Sequence, residues 1–177
     1  PIDIQILYPA DGAMINRPDT MVRGTFANPS GRETGITVNG KVAMVYGNEF
    51  VVNHLPLEEG SNTITVVATD VDGIARTATA TVTAVMPEHY IRISANIEAA
   101  NAPLETALRI DGTFSIDDSA LSYAGPGTVE FLETGADAYR AGMVDEGIYY
   151  FTAEAIHDTV TYADTVAIVV VDGSALD

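Results

Sequence analysis

Apolar and polar residues alternate along this chain with a period of two, in short runs rich in β-branched side chains and broken by Gly, Pro, Asn and Asp. That period places successive side chains on opposite faces of an extended strand. In the run 62–70, Ile64, Val66 and Ala68 share one face while Thr63, Thr65, Val67 and Thr69 share the other. In the run that follows, Thr77, Thr79, Thr81 and Thr83 alternate with Ala78, Ala80, Val82 and Ala84, which predicts a hydroxyl face outward and an apolar face inward. The first half predicts strands over 4–8, 20–26, 35–38, 41–46, 49–54, 62–70 and 74–85, and the second half over 90–97, 104–114, 127–132, 138–143, 147–157 and 161–171. Turn chemistry punctuates the first half at Pro9-Ala10-Asp11-Gly12, Asn28-Pro29-Ser30-Gly31, Asn39-Gly40, Gly47-Asn48, Glu58-Glu59-Gly60 and Asp72-Gly73. Asn39-Gly40 and Asp72-Gly73 offer residues that tolerate the positive φ of a tight type I′ hairpin. Helical turns are predicted only at 97–102 and 118–123.

Runs this short and this often interrupted predict an all-β chain of two tandem antiparallel β-sandwich domains. The strand pattern stops at Val85-Met86-Pro87-Glu88-His89 and a new alternation starts at Tyr90, which sets the expected domains at 1–86 and 87–177. So short a linker predicts a semi-rigid rod, with flexing at Pro87 as the alternative. The chain starts at Pro1 and stops just after a strand-like run, the pattern expected of an excerpt from a longer or processed protein.

Charge narrows the partners. The 177 residues carry 8 basic and 25 acidic side chains, a net charge of −17, which would repel nucleic acid and anionic lipid. The imbalance is concentrated: residues 1–86 hold 9 acids and 5 bases (−4), whereas residues 87–177 hold 16 acids and 3 bases (−13). No apolar run approaches the roughly 20 residues that span a bilayer, so membrane insertion is not expected. The absence of Cys excludes disulfides and thiolate metal sites.

Catalysis needs titratable groups that converge, and the sequence advertises none. His54 ends a predicted strand, His89 lies in the linker and His157 precedes Asp158 at a predicted turn; each reads as a solvated or capping residue. Neither a P-loop nor a G-x-S-x-G or G-x-G-x-x-G motif occurs, and Gly125-Pro126-Gly127 lacks the Lys of a phosphate cradle. Adjacent Asp117 and Asp118 point apart in an extended chain, which argues against a paired-carboxylate glycosidase. No enzyme and no catalytic residue are expected, and no cofactor beyond calcium. Hard oxygen ligands suit that ion, and the candidates are Asp70 and Asp72, in an Asp-x-Asp-Gly turn, and Asp117, Asp118, Asp158 and Asp172, which lie near strand ends and would have to gather at one pole. As a hairpin turn, Asp70–Gly73 needs no ion. A carbohydrate platform would need exposed aromatic faces; Tyr139, Tyr149, Tyr150 and Tyr162 are the candidates, Tyr149 and Tyr150 must face opposite ways, and Tyr8 and Tyr46 read as sandwich packing.

The stretch from Gly35 to Gly73 resembles the bacterial immunoglobulin-like domains related to domain B of glucodextranase. The marks are Val38-Asn39-Gly40, Phe50 after Gly47-Asn48-Glu49, Leu57 before Gly60, Asn62 with Ile64 and Val66, and Asp70 before Asp72-Gly73; Tyr8–Asn16 fits the opening strand and turn. The second half is similar to PKD-like sandwiches at Ala102-Pro103-Leu104, Leu108–Gly112 and Glu146–Asp158, although Val129–Asp137 stands where a Trp-x-Phe-Gly-Asp-Gly motif would be; another immunoglobulin-like or cadherin-like sandwich fits these residues as well. Both resemblances imply modular, extracytoplasmic, non-catalytic domains of bacterial secreted or surface proteins. Their partners would be other domains of the same polypeptide, another protein, or a carbohydrate.

Overall fold

A computed structural model describes residues 1–172. The chain divides into two compact units, with the boundary between Pro87 and Glu88. Among the described residues every regular element of both units is a strand, and no helix is long and apolar enough to cross a membrane.

The first unit holds β1 (Asp3–Tyr8), β2 (Met14–Ile15), β3 (Asp19–Ala27), β4 (Thr34–Val38), β5 (Lys41–Val42), β6 (Met44–Tyr46), β7 (Glu49–Pro56), β8 (Gly60–Asp70) and β9 (Ala75–Ala84). They form a four-stranded sheet, β1-β3-β7-β6, and a five-stranded one, β2-β9-β8-β4-β5. The inward residues of the two sheets close on one core around Val22, Ile36, Phe50, Ile64, Val66 and Val82. Ile64, Val66 and Ala68 are fully buried while their Thr neighbours face outward, as the alternation requires. Gly24 makes room for this core, because a Cβ there would collide with the Phe50 ring and the carbonyl of Gln5.

The predicted strand over 41–46 breaks at Ala43. Lys41-Val42 pairs with β4 in one sheet and Met44–Tyr46 with β7 in the other, so the buried Ala43 marks the crossing. The Asp72-Gly73 turn also departs from expectation. Gly73 N–H donates to Asp70 O and only Gly73 has positive φ, which makes a three-residue loop, a type I turn followed by a left-handed glycine, rather than a type I′ turn. Asn39-Gly40 is the two-residue type I′ loop, with φ of 48° and 82° and Val38 facing Lys41 across it. Tyr8 is exposed at the end of β1 and does not pack in the sandwich.

The second unit holds β10 (Ile91–Ala95), β11 (Ala99–Asn101), β12 (Leu104–Gly112), β13 (Ser119–Ala124), β14 (Val129–Gly135), β15 (Ala138–Met143), β16 (Gly147–His157) and β17 (Val160–Val171). Its sheets are β10-β12-β15-β14 and β11-β17-β16-β13, closing on Ile91, Ile93, Leu108, Ile110, Tyr149 and Phe151. Each unit repeats one device: its opening segment is split, the first piece antiparallel in one sheet and the second parallel to the last strand in the other, as β2 with β9 and β11 with β17. The helical turns expected at 97–102 and 118–123 are therefore strands, β11 and β13, because a waiting sheet edge supplies their backbone partners.

Candidate functional site

In the first unit the polar residues that stand out in sequence serve the backbone. Asn39 donates through Nδ2 to Thr63 O at 3.3 Å and accepts the Thr65 N–H at 2.7 Å, tying the hairpin onto β8. Asn62 accepts the Glu58 N–H and donates to Glu58 O and Gly60 O, closing the turn before β8. Asp11 accepts the Thr81 N–H at 2.8 Å. The buried Asp70 accepts the N–H groups of Asp72 and Ile74 at 2.9 and 3.0 Å through Oδ1, and Asn28 Nδ2 reaches its other oxygen. Asp72 is exposed and pairs with Arg32 at 3.4 Å. The Asp70–Gly73 loop is thus held by its own N–H groups.

In the second unit the hairpin from β16 to β17 and the segment entering β13 meet at one end, because Ser119 pairs with Ala155. They enclose an open cleft of about 390 Å³ lined by Asp117, Asp118, Glu154 and Asp158, with Ser115, Ser119, His157 and Thr161. Asp172 is not part of it. It follows β17, whereas Asp158 precedes that strand, so a run of roughly 40 Å separates them at about 3.3 Å per residue. Of the four acids expected at one pole, three share the cleft. An open set of exposed carboxylates can attract a hard cation.

Beside this cleft lies a cluster that the sequence did not announce. His89, Phe114, His157 and Tyr162 form a packed group of four rings, with His157 stacked on Phe114 at 4.3 Å and the two imidazoles in edge-to-face contact at 4.9 Å. His89 and His157 lie far apart in sequence and share no spacing signal; only the pairing of β10 with β12 and of β16 with β17 brings them together.

The aromatic residues considered for a carbohydrate platform are distributed otherwise. Tyr149 is fully buried and donates to Asp145 O at 2.7 Å, while Tyr150, its strand neighbour, points the other way and is half-buried. Burial foremost, then the Asp145 carboxylate and Tyr123, raise the Tyr149 hydroxyl above its usual pKa. Tyr139 contacts Ser119 and packs on the core, as does Tyr162. Gly125-Pro126-Gly127 is a packing corner: a Cβ on Gly125 would strike the Tyr149 ring, and one on Gly127 would strike Asp145. A second cleft, of about 510 Å³, opens over Gly142 between Glu105 and Glu130, with Leu132 and Val144 at its rim and Arg140 paired to Glu105 at 2.9 Å.

Two strand layers over one core, joined by one opening segment split between them, define the first unit as an immunoglobulin-like β-sandwich. The family model described as glucodextranase, domain B, matches residues 2–86. These residues are an immunoglobulin-like domain of that type. Comparison with curated proteins finds no match. Among solved structures, the chain is similar to the fibronectin(III)-like modules of CbhA from Clostridium thermocellum, at 13% identity and a TM-score of 0.34, covering 97% of this chain and 96% of that one. It is similar to extracellular cadherin domains 3–6 of protocadherin gamma B2 at 11% identity and a TM-score of 0.39, covering 96% of this chain and 47% of that one. The titin domains z1z2, solved in complex with telethonin, match at 12% identity and a TM-score of 0.34, covering 96% and 95%. Likeness of this degree carries no functional argument.

Proposed function

We propose that the chain is a non-catalytic spacer or protein-interaction module of a larger extracytoplasmic bacterial protein. The observation that carries this reading is the use made of the polar family marks in the first unit. Asn39, Asn62, Asp70 and Asp11 hold turns with their side chains, which is the work of a framework. The match to a domain of glucodextranase supports a unit that accompanies other domains in its polypeptide. Antiserum raised against the chain tests the location: intact source cells or their culture medium are expected to react. Reaction only after the cells are permeabilised would contradict the proposal.

A second reading has one observation in its favour, the shared cleft of Asp117, Asp118 and Asp158. It makes the second unit a calcium-binding accessory module. Calorimetric titration with Ca²⁺ separates the two, since heat that Asp117→Asn removes supports this reading and a silent titration supports the spacer.

A further inference from the structure

We propose that β14 is a docking edge for an extended segment of a partner protein in which apolar residues alternate with Lys or Arg. The proposal deepens the protein-interaction reading and rests on it. β14 ends its sheet: it pairs with β15 on one side, and no described strand pairs with the other. Val129 N–H turns away from β15 to Tyr123 OH at 3.4 Å, and alternate residues of an antiparallel ladder share that direction. The N–H and C=O groups of Phe131 and Glu133 therefore point off the sheet, as the donors and acceptors that an added strand uses.

The two faces of β14 set what that segment must carry. On the inward face the Phe131 ring meets Tyr123 of β13 at 5.6 Å, and the two stay 39% and 40% exposed where the sandwich opens between its sheets. A residue of the added strand opposite Phe131 falls on this face, and an apolar one covers both rings. On the outward face stand Glu130 and Leu132. Glu130 lies opposite Gly142, and Glu105 lies opposite the same glycine from β12. Chain neighbours aside, no atom comes within 4 Å of where a Gly142 Cβ would sit, so the two carboxylates flank a hollow, the cleft of about 510 Å³. Arg140 is committed to Glu105 at 2.9 Å, whereas Glu130 has no ion pair among the described residues. A Lys or Arg set opposite Glu130 meets that carboxylate and lays its methylene stem on the exposed Leu132. A second copy of the chain fits this edge poorly. Neither β13 nor β14 carries a basic residue, and residues 87–177 carry −13, so two such edges repel each other while a basic segment is drawn in.

Fluorescence anisotropy with the capped, fluorescein-labelled peptide (Lys-Val)4 tests the assignment at about 0.15 M salt, where attraction to the acidic surface at large is screened. Saturable binding is expected. None is expected for (Lys-Pro)4, which keeps the charge and loses the N–H groups that would face Phe131 and Glu133. Glu130→Lys is expected to weaken (Lys-Val)4 about tenfold, and Glu154→Lys, on the other sheet, to leave its affinity nearly unchanged. In the wild-type chain, hydrogen exchange followed by NMR is expected to slow at the Phe131 and Glu133 N–H groups when (Lys-Val)4 is added, a readout that needs no variant. Equal binding of the two peptides, equal weakening by the two substitutions, or unchanged exchange at Phe131 and Glu133 would overturn the docking edge. So would a dimer in sedimentation equilibrium that Leu132→Lys dissolves, which would give the edge to a second copy. None of these outcomes bears on where the chain resides, so the antiserum test of the broader reading stands apart from them.

Discussion

Individual side chains in this protein do their work on the main chain, and that sets the cost of changing them. Asn39 makes two side-chain bonds to β8 from a left-handed conformation, so Asn39→Ala is expected to lower stability by about 1–2 kcal/mol in urea unfolding. Gly40→Val, at φ 82°, adds the strain of a β-branched residue in the left-handed region and is expected to cost about as much again. The hairpin between β16 and β17 carries that strain already. Asp158 and Thr159 sit at φ 50° and 67° with no glycine in the loop, and Thr159→Gly is expected to raise stability by about 1 kcal/mol. Tyr149 makes a pH-dependent contribution. Because its folded-state pKa is raised, the folded protein keeps the phenolic proton where the unfolded chain has released it. The contribution is complete below pH about 10, the ordinary tyrosine value, and is lost as pH rises through the folded value. Tyr149→Phe is expected to flatten this alkaline limb in melting curves, and it forfeits the bond to Asp145 O at neutral pH.

At the scale of elements, long and regularly alternating segments were legible in sequence. The strands β8, β9, β16 and β17 follow the predicted runs to within two residues, since one buried face fixes their pattern. Segments that depend on a distant partner were not legible. Met14–Ile15 and Ala99–Asn101 are strands only because β9 and β17 lie parallel beside them, and Ser119–Ala124 is an outer strand whose exposed residues carry little alternation. The candidate sites divide in the same way. Asp70 was readable as a turn residue from its own neighbours, but the union of Asp117, Asp118 and Asp158, the exclusion of Asp172, and the meeting of His89 with His157 all depend on which strands pair. The corner Gly125-Pro126-Gly127 belongs to this scale too. Gly125→Ala pushes a methyl into the Tyr149 ring, and a loss of about 1–3 kcal/mol is expected in chemical denaturation.

For the whole molecule, the sequence makes two units that differ in their electrostatics. With −13 of the net −17 in residues 87–177, self-repulsion is concentrated in the second unit. Added salt screens it within about a Debye length, so the melting transition of the second unit is expected to rise with NaCl more than that of the first. Calorimetry of the full chain across a salt series reads both. The central claim is that the marked polar residues of the first unit are structural, and Asp70→Ala tests it most directly when melted in EDTA and again in calcium. The variant strands the N–H groups of Asp72 and Ile74, and an equal loss of about 1–3 kcal/mol in both buffers is the expected result. A loss confined to calcium would show that Asp70 is an ion ligand, and would contradict the account.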